Sequence, residues 1–235
     1  MKKIIPAIMP KSYEDLVEKI DRVAGFVDEV QIDVMDGVLV SSKSWPYEND
    51  PQGIFLQMIN GQKRLPHAEK ISFMVDLMIS DVEVRVHDWI KAGVAKVVIH
   101  LNSLQVRDNA GFIQSLKADY PDLKVGIAIG TSEMDRSLEP FLPYVDFVQC
   151  MGIANVGYQN EPFDERVIEH VAYVKIRAPR MPIVVDGAVG LQTVKKLKKA
   201  GASDLVVGSD LFESENIQAT YRQLTRRLRS TFFFL

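Results

Sequence analysis

The stretch Ala92-Gly93-Val94-Ala95-Lys96-Val97-Val98-Ile99 combines a small residue and a glycine, a short link and a β-branched run. The same phrase stands at Ala24-Gly25-Phe26-Val27-Asp28-Glu29-Val30 and at Ala200-Gly201-Ala202-Ser203-Asp204-Leu205-Val206-Val207, with a looser copy at Leu142–Val148. Glycine just past a helix supplies a left-handed C-cap, and the Val/Ile run behind it reads as a strand buried on both faces. Each phrase is therefore a helix-to-strand junction. By the same pattern, strands are expected near Ile4–Ala7, Glu29–Val34, Ile71–Leu77, Lys96–His100, Lys124–Ile129, Phe147–Met151, Ile183–Asp186 and Leu205–Val207. The first amphipathic stretch opens at Ser12, with Asp15 three positions on in an N-cap arrangement. Eight strands alternating with helical segments give about 29 residues per unit, which predicts a (β/α)8 TIM barrel of the α/β class in one domain, residues 1–235. An open doubly wound sheet fits less well, because Pro6-Ala7-Ile8-Met9-Pro10 stands where a Gly-rich dinucleotide loop would follow the first strand.

Composition sets outer limits. With 47% hydrophobic and 25% charged residues and a formal net charge of −3, the chain has the profile of a soluble globular protein and not of a disordered or collagen-like one. Its single cysteine, Cys150, cannot form an internal disulfide and reads as a small buried hydrophobe, so a cytoplasmic location is expected. The apolar stretch after Met1-Lys2-Lys3 is interrupted by Pro6 and too short for an export signal, and no run approaches the roughly 20 apolar residues of a membrane span. The mildly acidic balance gives no attraction to nucleic acid, and Arg222, Arg226, Arg227 and Arg229 read as a solvated helix face. The apolar end Thr231-Phe232-Phe233-Phe234-Leu235 is expected to pack on the barrel or against a second subunit, and a homo-oligomer is expected. The irregular segment Val38–Asp50 follows the second strand, at the end of the barrel where long loops serve a site.

Strand alternation then locates an unusual group of charges. Gln31, Asp33 and Met35 share one side of the second strand, Met74, Asp76 and Met78 one side of the third, Val98 and His100 one side of the fourth, and Val184 and Asp186 one side of the seventh. Three aspartates thus project into the barrel near the carboxyl ends of their strands, the catalytic face of this architecture. A buried aspartate costs several kcal/mol unless it is paired or metal-bound, and no Lys or Arg lies inward on the three strands that carry them. Either a divalent cation sits among them, or repulsion leaves at least one carboxyl protonated. The plain structural alternative is that one of them, Asp76 above all, caps a helix or turn.

The segments Ile5-Pro6-Ala7-Ile8, Gln31-Ile32-Asp33-Val34-Met35-Asp36-Gly37, Val75-Asp76-Leu77-Met78-Ile79, Val184-Val185-Asp186-Gly187 and Val207-Gly208-Ser209 resemble, in order and position, those of the ribulose-phosphate 3-epimerases. The resemblance spans nearly the whole chain, and Asp-Val-Met-Asp-Gly is its specific signal. It implies an epimerase that removes the proton next to the carbonyl of a ketose phosphate and returns one to the opposite face, with Asp33 and Asp186 as the proton-transferring pair. It also implies a divalent metal held by two His and two Asp. Here the positions matching the histidines are Gln31 and Asp76, so the ligand set Gln31, Asp33, Asp76 and Asp186 is all oxygen and favours Mg2+ or Mn2+ over Zn2+. Loss of the metal is the alternative. Met35, Met78 and Met151 match methionines lining the family's cavity, and His100 matches a residue near the site, read here as a hydrogen-bonded rim histidine.

The resemblance further implies a phosphate grip in the loops after the seventh and eighth strands, through Gly187, Ala188, Gly208 and Ser209. Ala188 replaces a glycine, a change that preserves the backbone donor if φ is negative. Asp210 brings negative charge beside an anion site, which is unfavourable unless its side chain turns away. In the loop after the sixth strand Gly157, Asn155 and Phe163 match the family flap, whereas Gln159 and Asn160 replace glycines and imply a stiffer loop. Ala7 stands in place of a serine. Two other readings remain open. One is a decarboxylase or aldol-type lyase of a related barrel, whose lysine two residues beyond the third-strand aspartate is Met78 here. The other is a non-catalytic sugar-phosphate-binding barrel.

Overall fold

In the computed structural model, which describes residues 2–105, 109–158 and 160–230, eight parallel strands close into a barrel in the order β1 to β8. They are β1 (Ile4–Ile8), β2 (Glu29–Met35), β3 (Ser72–Met78), β4 (Lys96–His100), β5 (Lys124–Ile129), β6 (Phe147–Met151), β7 (Ile183–Asp186) and β8 (Asp204–Val207). The expectations for Gln159 and for Thr231–Leu235 fall outside the described residues. The outer layer holds α1 (Tyr13–Asp21), α2 (Ile54–Ile59), α3 (Val82–Lys91), α4 (Asn109–Asp119), α5 (Val167–Arg177), α6 (Val194–Ala200), the single turn α7 (Ser209–Phe212) and α8 (Ile217–Arg229).

The strands match their expected positions within one or two residues, but the helices are less regular than the eightfold pattern predicts. Between β5 and β6 there is only a 3-10 turn, Asp135–Leu138. Pro140 and Pro143 follow it closely and lack the N–H groups that a continuing helix needs. At the junctions, Gly93 and Gly201 take the left-handed conformation, φ 99° and 122°. Gly25 does not, because α1 already ends at Asp21 and a further turn intervenes. Ser12 caps α1 by accepting from the Asp15 N–H at 3.2 Å, while the Asp15 carboxylate reaches back to the Lys11 N–H at 2.8 Å.

Alternation along the strands separates two apolar layers. Ile32, Val34, Val75, Leu77, Val97, Ile99, Val125, Ile127, Cys150 and Val185 face the helices, and burial pushes the Cys150 thiol pKa up. Ile5, Ala7, Met74, Val98, Ala128, Phe147, Val184 and Val206 fill the barrel interior. Phe147 lies directly on Gly126 of the neighbouring strand, where a Cβ would come within 2.2 Å of its ring. This plug closes the barrel beneath the carboxyl ends of the strands, so the polar residues above it form the floor of a cavity and not of a channel.

The segment after β2 folds against the barrel end. The buried Ser44 hydroxyl accepts from the Met35 N–H at 3.0 Å and donates to the Asp33 carbonyl at 3.0 Å. Trp45 is buried between Tyr13, Phe55 and Trp89. Asp36 accepts from the Ser80 N–H and hydroxyl at 2.8 and 2.6 Å, joining the ends of β2 and β3. These contacts fix the backbone that carries Asp33. Of the C-terminal arginines, Arg222, Arg226 and Arg229 are exposed, while Arg227 donates to the Leu191 carbonyl. No helix among the described residues is long and apolar enough to cross a membrane.

Candidate active site

At the carboxyl ends of the strands a cavity of about 400 Å³ opens above Asp33, Asp76 and Asp186. Its wall includes Ala7, Met78, Met151, Gly157, Gly187, Ala188, Gly208 and Ser209, all expected there from the sequence. Met35 and Gln31 do not line it. Both are fully buried, and Met35 packs under Gly157, where a Cβ would come within 3.3 Å of the Met35 sulfur.

The carboxylates converge. Asp33, Asp76 and Asp186 each offer an oxygen within 4.8 Å of the others, so by distance alone the three could hold a metal ion. Gln31 Nε2 donates to Asp33 Oδ1 at 2.7 Å and to Asp186 Oδ2 at 2.6 Å. Gln31 was expected to present oxygen to a metal; it instead turns its NH2 group to one oxygen of Asp33 and one of Asp186. Asp76 neither caps a helix nor ends a turn: its Oδ1 pairs with His100 Nε2 at 2.8 Å and its Oδ2 accepts from Gln149 Nε2 at 2.8 Å. His100 is thus deeper than a rim residue, only 2% exposed, and pairs with Asp76 from a strand that carries none of the three acids.

Gln149 is the site residue that sequence reasoning missed. The signal was available: with Met151 facing inward on β6, Gln149 must face inward too. A polar amide at the centre of an apolar strand carries the same message as an inward aspartate. Its amide also lies 3.5 Å from Asp186 Oδ2.

Burial raises the Asp33 pKa well above the usual carboxylate range, and the Asp186 and Asp76 charges raise it further, against the Gln31 hydrogen bond. Burial likewise, with the Asp76 charge, raises Asp186 to about 7, opposed by hydrogen bonds from Gln31 and the Gly187 backbone. For His100 burial favours the neutral ring, but the charge and hydrogen bond of Asp76 outweigh it and hold the pKa above the ordinary value. The site therefore retains protons near neutral pH.

The donors around the triad do not fit a cation at its centre. A metal needs lone pairs aimed at it, and Gln31 and Gln149 aim N–H groups at the three carboxylates while their own Oε1 atoms have no partner.

The far end of the cavity is formed by the loops after β6, β7 and β8. Ala188 has φ 50°, so it keeps a left-handed backbone and not the negative φ that would suit alanine. Asp210 does not leave the cavity wall: its Oδ2 accepts from the Leu191 N–H at 3.0 Å, and Gly190 leaves room for the carboxylate. In the loop after β6, Gly157 and Asn160 are both left-handed, φ 86° and 59°, and Asn155 closes the segment by donating to Glu161 at 2.9 Å. Gly157 lies against Val40 of the loop after β2, which joins two loops over one side of the cavity.

A closed parallel barrel with carboxylates converging under a cavity at the carboxyl ends of its strands is the architecture of a (β/α)8 enzyme. The sequence model described as the ribulose-phosphate 3 epimerase family matches residues 3–212, and the chain belongs to that family of isomerases. It is 27% identical over 230 residues to the ribulose-phosphate 3-epimerase of Aquifex aeolicus, covering 95% of this chain and 96% of that protein. The ribulose-phosphate 3-epimerase of Candida glabrata is 26% identical over 91% of this chain and 87% of its own length. The solved structure of 3-hexulose-6-phosphate synthase from Salmonella typhimurium shares the fold, with a TM-score of 0.66, 16% identity and coverage of 97% of this chain and 98% of that one.

Proposed function

We propose that this chain epimerises the carbon next to the carbonyl of a ketose phosphate, with D-ribulose 5-phosphate and D-xylulose 5-phosphate as the pair. The observation that carries this reading is the placement of Asp33 and Asp186 on two strands, held to one Gln31 nitrogen, at the floor of a cavity of sugar-phosphate size. One carboxylate of the pair takes the proton from C3, and the C–H electron pair forms the C2–C3 double bond while the carbonyl oxygen takes up the negative charge. The protonated partner then delivers a proton to the opposite face of C3, and the electrons return to the new C–H bond. The pair ends with its protonation reversed, ready for the opposite direction.

The raised pKa values suit this exchange, because a pair that holds one proton near neutral pH contains both a base and an acid. Met78 and Met151 cover the reacting carbon without competing for its oxygens. The backbone around Gly187, Ala188, Gly208 and Ser209 is the proposed seat of the phosphate. An all-oxygen donor set would favour Mg2+ or Mn2+, but the inward amide hydrogens leave no step of this mechanism that uses a cation.

The test is turnover of D-ribulose 5-phosphate in D2O. Asp33→Asn and Asp186→Asn should each lower epimerisation and deuterium uptake at C3 by at least about 10³-fold. Uptake at the wild-type rate in both variants would remove the two-carboxylate mechanism. Binding of the sugar phosphate by the wild type without any exchange would favour the non-catalytic barrel.

A further inference from the structure

Behind the three carboxylates lies a polar layer that the proton transfer does not use. Gln31 and Gln149 are fully buried, and His100 is nearly so. Each carboxylate receives at least one N–H from this layer: Asp33 from Gln31, Asp76 from Gln149 and His100, and Asp186 from Gln31. Asp186 Oδ2 sits between the two amides, 2.6 Å from Gln31 Nε2 and 3.5 Å from Gln149 Nε2. The direction of each amide follows from electrostatics. Reversed, Gln31 would place its oxygen within 2.7 Å of two carboxylate oxygens, and Gln149 would place its oxygen 2.8 Å from a third. Both Oε1 atoms instead have no partner although they are buried, a cost accepted only if the NH2 ends are needed where they are.

We propose that the NH2 groups of Gln31 and Gln149 take the place of a divalent cation among Asp33, Asp76 and Asp186, so that this cluster excludes metal and the enzyme works without one. A cation in such a cluster would fix the carboxylates relative to each other and weaken their repulsion. Two amide groups do the first fully, since one NH2 spans Asp33 and Asp186 and the other holds Asp76. They do the second in part, helped by the His100 ring 2.8 Å from Asp76. Gln31 and Gln149 are positioning residues in this account, since neither lines the cavity. The metal exclusion stands on geometry alone, whereas the metal-free catalysis rests on the proposed function.

Metal content and Mn2+ binding read this out without turnover. Wild-type protein, purified without chelator, should contain far less than one equivalent of any divalent metal by elemental analysis. Mn2+ titration followed by electron paramagnetic resonance should show binding no tighter than about 1 mM. Gln31→Glu removes the bridging donor and adds a fourth carboxylate, and it should bind Mn2+ at least about 100-fold more tightly than wild type. Gln149→Leu removes the second donor without adding charge and should shift Mn2+ affinity in the same direction, so the proposal remains testable if one variant fails to fold. One equivalent of metal in the wild type, Mn2+ binding at about 10 µM or tighter, or equal Mn2+ affinity in wild type and folded variants would each overturn the proposal. Loss of deuterium exchange in the wild type would sink the proposed reaction but leave these measurements unaffected.

Discussion

Asp186 couples chemistry to stability. Its pKa in the folded chain, about 7, lies above the roughly 3.9 of an unfolded aspartate, so the folded state holds the proton more tightly. Stability from this group is therefore fully present below the unfolded value, falls as pH rises toward 7 and is lost above it. The difference amounts to an order of 2–4 kcal/mol. Asp186→Asn, which keeps an acceptor for the Gln31 amide, should raise the urea midpoint at pH 8 and change it little at pH 4, while turnover disappears. An equal shift at both pH values would contradict the buried-charge account. The same titration places a limb of the kcat/KM profile at about 7, where Asp186 exchanges its proton beside an Asp33 that burial also holds above the usual carboxylate range. At Ala188 the left-handed backbone costs a side-chain-bearing residue roughly 1–2 kcal/mol, so Ala188→Gly should stabilise the fold by about 1 kcal/mol in chemical denaturation. Most of this residue-scale picture was legible, because parity along a strand needs only sequence. What parity does not contain is which end of an amide faces a carboxylate, since that depends on partners brought together by β2, β6 and β7 across the closed ring.

The strands were legible because their Val/Ile runs are buried on both faces and bounded by helix ends, as at Lys96–His100 and Lys124–Ile129. The outer layer was less so. Between β5 and β6 a 3-10 turn suffices because Leu138 and Phe141 bury themselves in the apolar layer without a full helix, and the prolines end the segment there. The interior plug was also unread, since a glycine in a strand announces only that something approaches closely, not that it is Phe147. Gly126→Ala would place a methyl group 2.2 Å from the ring. Crowding of this kind costs about 1–3 kcal/mol, so thermal unfolding should come several degrees lower, with the largest effect on packing beneath the active site. Combining it with Phe147→Leu, which removes the ring, should recover part of the loss. An additive double variant would show that the two residues do not share one space.

At the scale of the whole molecule, the distribution of charge matters more than its sum. The chain carries only −3 overall, yet the cavity is lined by Asp33, Asp76, Glu161, Asp186 and Asp210, with no Lys or Arg among the described residues that line it. The backbone N–H groups proposed to receive a phosphate must therefore work against the protein's own field. Asp210 is the carboxylate built into that end of the cavity, where it also takes the Leu191 N–H. A unit charge about 5 Å from a phosphate dianion, at an effective dielectric near 20, opposes binding by several kcal/mol before salt and solvent reduce it. Asp210→Asn removes the charge and keeps an oxygen for the Leu191 N–H, so the loop is not released. Inorganic phosphate should then bind about tenfold more tightly by calorimetry, with the gain shrinking as ionic strength rises. Unchanged phosphate affinity at low salt would place the anion elsewhere in the cavity, whereas a gain confined to low salt assigns Asp210 the role of holding down affinity for the charged end of the sugar.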